Sequence, residues 1–238
     1  IVEKLKESFL SKGGMTKLNC DVSGLIRDGN GFIINYKHEG EAKEDKATYI
    51  ISSIPISSLV QLIRPVPPEI VKQSADSLDY LSTIVLYVVI HDRDVLDCAY
   101  LYMVNRPYNR ISNTNRFHHE LCPEGENMLA LEMTCHFNDE TWKSADEKLY
   151  EQCIRHLESD GFITRDEVKQ FFTVRIKNAY PFYRLGYEKN LATVFDYLKN
   201  IPGLSLSGRT GAYKYMDIDQ CMEDTSDLVN SLKMKGTI

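Results

Sequence analysis

The run Gly208-Arg209-Thr210-Gly211-Ala212-Tyr213-Lys214-Tyr215-Met216-Asp217-Ile218-Asp219 sets a guanidinium between two glycines and two carboxylates ahead of a helical pattern from Gln220 to Leu232. The short apolar strand Leu204-Ser205-Leu206-Ser207 precedes it. Strand, glycine turn, acidic N-cap and helix suit an anionic ligand, because glycine permits close backbone approach and the first N–H groups of a helix favour negative charge. Arg209 can grip a phosphate or an anionic ring through two N–H groups. It can equally form a surface pair with Asp217 or Asp219. Both aspartates are good N-cap residues, yet their charge opposes a phosphate at the same place.

A second candidate is Arg110, in Pro107-Tyr108-Asn109-Arg110, with Arg106, Asn113 and Asn115 nearby in sequence. The polar run around it is also what a solvated loop looks like. Tyr102, Tyr180 (before Pro181) and Tyr215 form a third group. A tyrosine hydroxyl can donate to an anion while its ring packs apolar neighbours, although in a chain with 14 tyrosines core packing competes for each one. His118-His119 lacks the i, i+4 spacing of a helical metal site, and no carboxylate cluster accompanies it. Cys135 and His136 are adjacent, so on a strand they point to opposite faces. No Ser-His-Asp set stands out. The catalytic residue is therefore unassigned, and no metal site is expected.

Composition narrows the class. A chain of 238 residues has ample length for a core, and 43% apolar with 26% charged residues is ordinary for a soluble globular protein. A net charge of −6 argues against a nucleic-acid surface. The longest apolar run, Leu81 to Ile90, is about half of what a spanning helix needs. The six scattered cysteines include no CxxC pair, which reads as reduced thiols in the cytoplasm. No signal-peptide pattern opens the sequence, and a start at Ile1 is expected of a piece of a longer chain.

The elements that must position these residues follow from periodicity. Ile1 to Leu10 reads as an amphipathic helix ended by Gly13-Gly14. Lys17 to Val22 and Phe32 to Tyr36 read as strands around the hairpin turn Asp28-Gly29-Asn30-Gly31. Lys37 to Lys46 reads as a turn, and Ala47 to Ser53 as a returning strand. Pro65, Pro67 and Pro68 mark a crossing between domains, followed by a helix over Glu69 to Ser77. Thr83 to Ile90 is a central strand candidate, with Ala99 to Val104 and Met128 to Thr134 as partners. Helices are expected over Glu140 to Ser159, Arg165 to Phe172 and Leu191 to Lys199, and a strand over Thr173 to Ala179. The fold class is α/β with α+β character: a mixed sheet with helices, flanked by parts of another domain. The expected boundaries are 1–64, 65–185 and 186–238.

Gly-Arg-x-Gly-x-Tyr-x-Tyr-x-Asp-x-Asp before a helix resembles the C-terminal flavin-contacting signature of UDP-galactopyranose mutases. Related forms occur in the wider superfamily of protoporphyrinogen oxidases and amine oxidases. Tyr180-Pro181 ahead of a helix, Tyr102 eight residues before Arg110, and the front with its helix, Gly-Gly turn, short strands and Ile50-Ile51-Ser52-Ser53-Ile54-Pro55 fit the same order. The resemblance covers most of the chain, with specific motifs only in the second half. It implies FAD as cofactor, with Gly208, Arg209, Gly211, Ile218 and Asp219 on the cofactor side. It implies Tyr102, Arg110, Tyr180 and Tyr215 on the substrate side, holding the diphosphate of a nucleotide sugar used in polysaccharide biosynthesis. In the mutases reduced flavin serves as nucleophile toward the anomeric carbon; the oxidases remove hydride from an amine or an unsaturated ring.

The sequence departs from the mutase pattern. Trp142, the single tryptophan, does not match the mutase tryptophan, and Pro-Tyr-Asn-Arg replaces the more usual Pro-Phe-Tyr-Arg, which puts substrate identity in doubt. The Gly-x-Gly-x-x-Gly opening of a dinucleotide-binding domain is also missing. Its nearest approach, Gly29-Asn30-Gly31, has Ile at position 34 and lies in the hairpin. The resemblance therefore implies a Rossmann-like FAD domain whose N-terminal half lies outside this sequence, and weak flavin affinity for the isolated chain.

Overall fold

The computed structural model describes residues 2–91 and 93–237. The chain forms two compact units, one from residues 1–78 with 185–238 and one from 79–184.

In the first unit, helix α1 (Val2–Ser11) ends where Gly13, at φ +84°, donates its N–H to the Leu10 carbonyl, a left-handed stop of the kind glycine supplies. Strands β1 (Cys20–Asp28), β2 (Gly31–His38) and β3 (Glu41–Ala47) make an antiparallel meander. The segment 37–46, expected as a turn, thus holds most of a strand, and only Glu39-Gly40 turns, both at positive φ. The lysines and glutamates of β3 hid it, because an edge strand facing water needs no apolar face and charge there discourages further pairing. The returning strand over 47–53 is split. Ala47 closes the meander, while β4 (Ile50–Ser52) leaves it for a different sheet.

Helix α2 (Ile56–Leu62), the short β5 (Ile63–Arg64) parallel to β1, and α3 (Glu69–Asp76) complete the first passage through this unit. α3 carries its apolar stripe Val71 and Ala75 inward and packs on α6, described below. The prolines at 65, 67 and 68 therefore lie within the first unit.

The second unit is built on β6 (Asp79–His91), a β-branched and aromatic run that can be buried on both faces. Strands β7 (Tyr100–Tyr102), β8 (Arg110–Asn113), β9 (Glu126–Cys135) and β10 (Val168–Phe182) join it in the antiparallel order β10-β6-β9-β8-β7. One face is the core. Ile84, Leu86, Val88 and Ile90 of β6, with Leu129, Leu131 and Met133 of β9, meet Leu149, Cys153, Ile154 and Leu157 of helix α5 (Asp146–Ser159), which follows the single turn α4 (Glu140–Lys143). Arg175 of β10 ties this layer together, donating to Asp146 Oδ1 at 2.6 Å and to the carbonyl of Ser144 at 2.7 Å.

The helix expected over 165–172 is a correction. Its helical signal is spent in one 3-10 turn, Arg165–Glu167, closed by a capping box between Thr164 and Glu167. From Val168 the chain runs as β10, whose alternation pairs it with β6 from Ile90 back to Asp79. Long-range ladder bonds outweigh local preference there.

The chain returns to the first unit through α6 (Tyr187–Leu198), β11 (Leu204–Leu206) parallel to β4, the single turn α7 (Gly208–Gly211) and α8 (Ile218–Met234). The architecture is a mixed α/β arrangement of several sheets.

Candidate functional site

In the first unit the glycine signature follows β11 directly. Gly208 adopts φ +76°, and a Cβ there would meet nothing closer than Ser53 Cβ at 3.9 Å. Conformation, not space, selects glycine at 208. Gly211 is the reverse case, since a Cβ would stand 2.6 Å from the Ser52 carbonyl oxygen and 3.0 Å from Ser53 Cα. Thr210 Oγ1 donates to the Ser53 carbonyl at 2.7 Å, and the Ser207 N–H to the Ser52 carbonyl at 3.0 Å. The second glycine therefore lets α7 lie against the end of β4.

Arg209 leaves this turn and folds over the loop beyond it. Its Nε donates to the Met216 carbonyl at 2.7 Å, its Nη2 lies 3.6 Å from Asp217 Oδ1, and its guanidinium carbon is 5.0 Å from the centre of the Tyr215 ring. Asp217 caps α8 in a capping box with Gln220, its own N–H donating to Gln220 Oε1 at 2.9 Å. That box engages the backbone of Gln220 and not the N–H groups of Ile218 and Asp219. Beside them a groove of about 710 Å³ is lined by Leu5, Arg209, Met216, Ile218, Cys221 and Met222.

These residues suit the ring end of a flavin: apolar walls, a guanidinium at the edge, and a helix start. They do not include a pyrophosphate loop. Gly29 and Gly31 belong to the β1–β2 turn, where a Cβ on Gly31 would press on the Ala47 carbonyl oxygen at 2.7 Å.

The second unit presents the sheet face opposite α5. Register fixes which side chains share it. Val174, Val85, Glu132, Arg110 and Tyr102 form one row across all five strands, and Phe172, Tyr87, Ala130, Ser112 and Tyr100 form the next. Ile176, Thr83 and Thr134 lie beyond the first row, followed by Tyr180 opposite Leu81. Arg110 Nε donates to Glu132 Oε1 at 2.9 Å and Nη2 to the same oxygen, with the two side chains 29% and 15% exposed. The guanidinium carbon stands 5.5 Å from the Tyr100 ring centre, and Tyr102 is its register partner on β7. Burial would lower the Arg110 pKa, but the Glu132 hydrogen bond and charge raise it, with Tyr180 adding to the effect. Arg110 is thus firmly cationic. Burial, with the Glu132 charge, raises the Tyr87 hydroxyl. Thr83 is 3% exposed, and its hydroxyl has no partner among the described residues.

Of the residues singled out from sequence, Tyr102, Arg110 and Tyr180 share this face, whereas Tyr215 lies in the first unit beside Arg209. Arg106 is committed elsewhere, its Nε donating to Asp160 Oδ2 at 2.7 Å. Asn113 is buried and reaches toward the Leu96 carbonyl, and Asn115 Nδ2 donates to the Glu126 carbonyl at 3.1 Å. The sequence reading missed Glu132, Tyr100, Tyr87 and Thr83. That β6 and β9 are strands of one sheet could be expected, but the register that puts these residues beside Arg110 could not. Among the described residues no group of His, Cys, Asp and Glu is placed to hold a metal, and no helix is long and apolar enough to cross a membrane.

No protein-family model matches the chain, and neither does any curated protein. Solved structures do. Reduced UDP-galactopyranose mutase superposes with a TM-score of 0.75 at 18% identity, over 90% of this chain and 45% of the mutase chain. A putative protoporphyrinogen oxidase from Exiguobacterium sp. 255-15 gives 0.74 at 17% identity, over 98% and 51%. A cofactor-site double mutant of putrescine oxidase gives 0.67 at 11%, over 96% and 51%. The chain spans about half the length of the solved structures it matches. Over that span it has the fold of the corresponding part of these proteins.

Proposed function

We propose that this chain is the substrate-sheet half of a flavin-dependent enzyme acting on a small molecule held against the sheet face of the second unit opposite α5. The observation that carries this reading is the row Tyr102, Arg110 and Glu132, in which Arg110 and Glu132 are hydrogen-bonded, with the exposed rings of Tyr100 and Phe172 at the two ends of the next row. Such a surface can stack a ring and orient it through a few fixed polar groups. The first unit, 1–78 with 185–238, is read as the flanking parts of the FAD domain, and the second, 79–184, as the substrate domain, which moves the boundary expected at 64/65 to the end of α3. Its free thiols, six among the described residues, fit a reducing compartment such as the cytoplasm.

When bound, the flavin would supply the hydride or nucleophilic chemistry. Arg209 would place a fixed positive charge at the ring edge, the glycines at 208 and 211 would hold the turn, and the start of α8 at Ile218 and Asp219 would offer backbone donors. On the sheet, Arg110 donates and Glu132 accepts, so a hydroxyl, carbonyl or amine of the substrate can be oriented without a mobile ion. The tyrosine rings exclude water from its flanks.

Glu132 favours oxidation of an amine or unsaturated ring, since it cancels the charge that a diphosphate would require. Isomerisation of a nucleotide sugar is the second reading. It rests on Tyr102 and Arg110 together with Tyr180 and Tyr215, and needs Arg110 to exchange Glu132 for phosphate. Full-length protein with oxidised flavin, mixed anaerobically with amines and porphyrin-like rings, should show flavin bleaching under the first reading. The same protein, chemically reduced and given UDP-galactopyranose, should yield UDP-galactofuranose under the second. Bound, reducible flavin with neither outcome over a broad panel counts against both.

A further inference from the structure

We infer that Glu132 sets the charge of the ligand this sheet face accepts, admitting uncharged groups at Arg110 and turning anions away. The inference rests on the sheet face opposite α5 being the substrate surface. Within the rows carrying Val174, Phe172, Ile176 and their partners, Arg110 and Glu132 are the only charged side chains. They are also mutually satisfied, because one carboxylate oxygen takes both Nε and Nη2 of the guanidinium. These rows therefore carry donors and acceptors but no net charge.

An anion arriving at Arg110 meets a guanidinium already engaged along that edge and a carboxylate in register beside it. With Glu132 only 15% exposed, water screens that repulsion poorly. The anion must also displace Glu132, leaving a largely buried carboxylate without its partner, and that loss is costly. A hydroxyl, carbonyl or neutral ring nitrogen faces neither penalty. It can accept from the remaining guanidinium N–H groups or donate to Glu132, while Tyr100 and Phe172 offer apolar faces for the ring that bears it.

Negative selection of this kind is a common source of specificity, since discrimination needs a cost against the wrong ligand as well as a gain for the right one. Arg110 read in isolation resembles a phosphate clamp. Glu132, twenty-two positions later and adjacent only through the β8–β9 register, reverses the sign of the site's preference.

The test uses the full-length protein and two probes, uridine and UDP, followed by calorimetric titration. Wild type should hold UDP no more than about threefold more tightly than uridine, and Glu132→Gln, which keeps the shape and removes the charge, should raise UDP affinity by about tenfold or more. Adding Arg110→Gln to that variant should abolish the gain. Should Glu132→Gln fold poorly, Glu132→Met serves as a second uncharged replacement. Wild type preferring UDP over uridine by about tenfold overturns the inference on its own. So does a Glu132 replacement that leaves UDP affinity unchanged, including one where neither probe binds. Flavin content, read from the absorption of the same samples, reports separately on the flavoenzyme reading.

Discussion

Arg110 on β8 and Glu132 on β9 face each other in register, and a single carboxylate oxygen takes two guanidinium N–H groups. Each side chain is the other's main electrostatic partner on a face with no other charge in the same rows. Arg110→Ala or Glu132→Ala alone should destabilise the protein by about 1–3 kcal/mol, because each leaves a poorly hydrated partner unsatisfied. The double variant should lose less than the sum. Urea unfolding of the four proteins checks this, and strict additivity would show that the pair is not coupled.

Two glycines of the same turn should respond differently to alanine. Gly211→Ala drives a Cβ into the Ser52 carbonyl at 2.6 Å and should cost about 1–3 kcal/mol through forced backbone movement. Gly208→Ala meets open space but a φ of +76°, so it should cost about 1–2 kcal/mol from conformation alone. Thermal unfolding separates them when asparagine replaces alanine: Gly208→Asn should cost less than Gly208→Ala, because asparagine tolerates the left-handed region, while Gly211→Asn should recover nothing.

Asp160 ends α5 and takes the Arg106 guanidinium, whose hydrogen bond holds the carboxyl below its ordinary range against the opposing effect of burial. A depressed carboxyl stabilises the fold at pH values above its unfolded pKa, and that contribution is lost as pH falls through the folded value. Asp160→Asn should therefore lower stability at neutral pH and flatten its decline below about pH 4. Parallel acid limbs for variant and wild type would contradict the pairing.

Burial pushes the Cys153 thiol up to about 12 and the Cys135 thiol up to about 11. At pH 8 these two should resist alkylation in the native state, while Cys20, Cys98, Cys122 and Cys221, all partly exposed, react first. The raised values favour the fold up to the ordinary thiol range, and the benefit is lost as pH climbs toward the folded values. Peptide mapping after brief alkylation gives the order. Early labelling of Cys153 would mean that α5 does not cover the sheet as described.

Much of this was legible in the sequence, and what was not has physical causes. The β-branched density of Thr83–Ile90 announced β6, and the acid-capped run after Met216 announced α8. β3 escaped because a solvated edge strand has no apolar signature. The 165–172 segment misled because a strong local cap precedes a strand that only β6 can stabilise. At the site, Arg110, Tyr102 and Tyr180 could be singled out by residue type. Their neutralising partner could not, because a one-residue slip in the β8–β9 register would put Glu132 on the other face. Gly211 was read as an approach path for a ligand, and its close contact with Ser52 becomes visible only once β4 and β11 are paired.

The central claim is that the protein is a flavin-dependent enzyme, and the visible absorption of the purified full-length protein tests it most directly. The account predicts bound flavin in wild type, with lower occupancy or a shifted reduction potential in Arg209→Ala. A full-length protein that stays colourless and takes up no FAD when the cofactor is supplied in excess would contradict it.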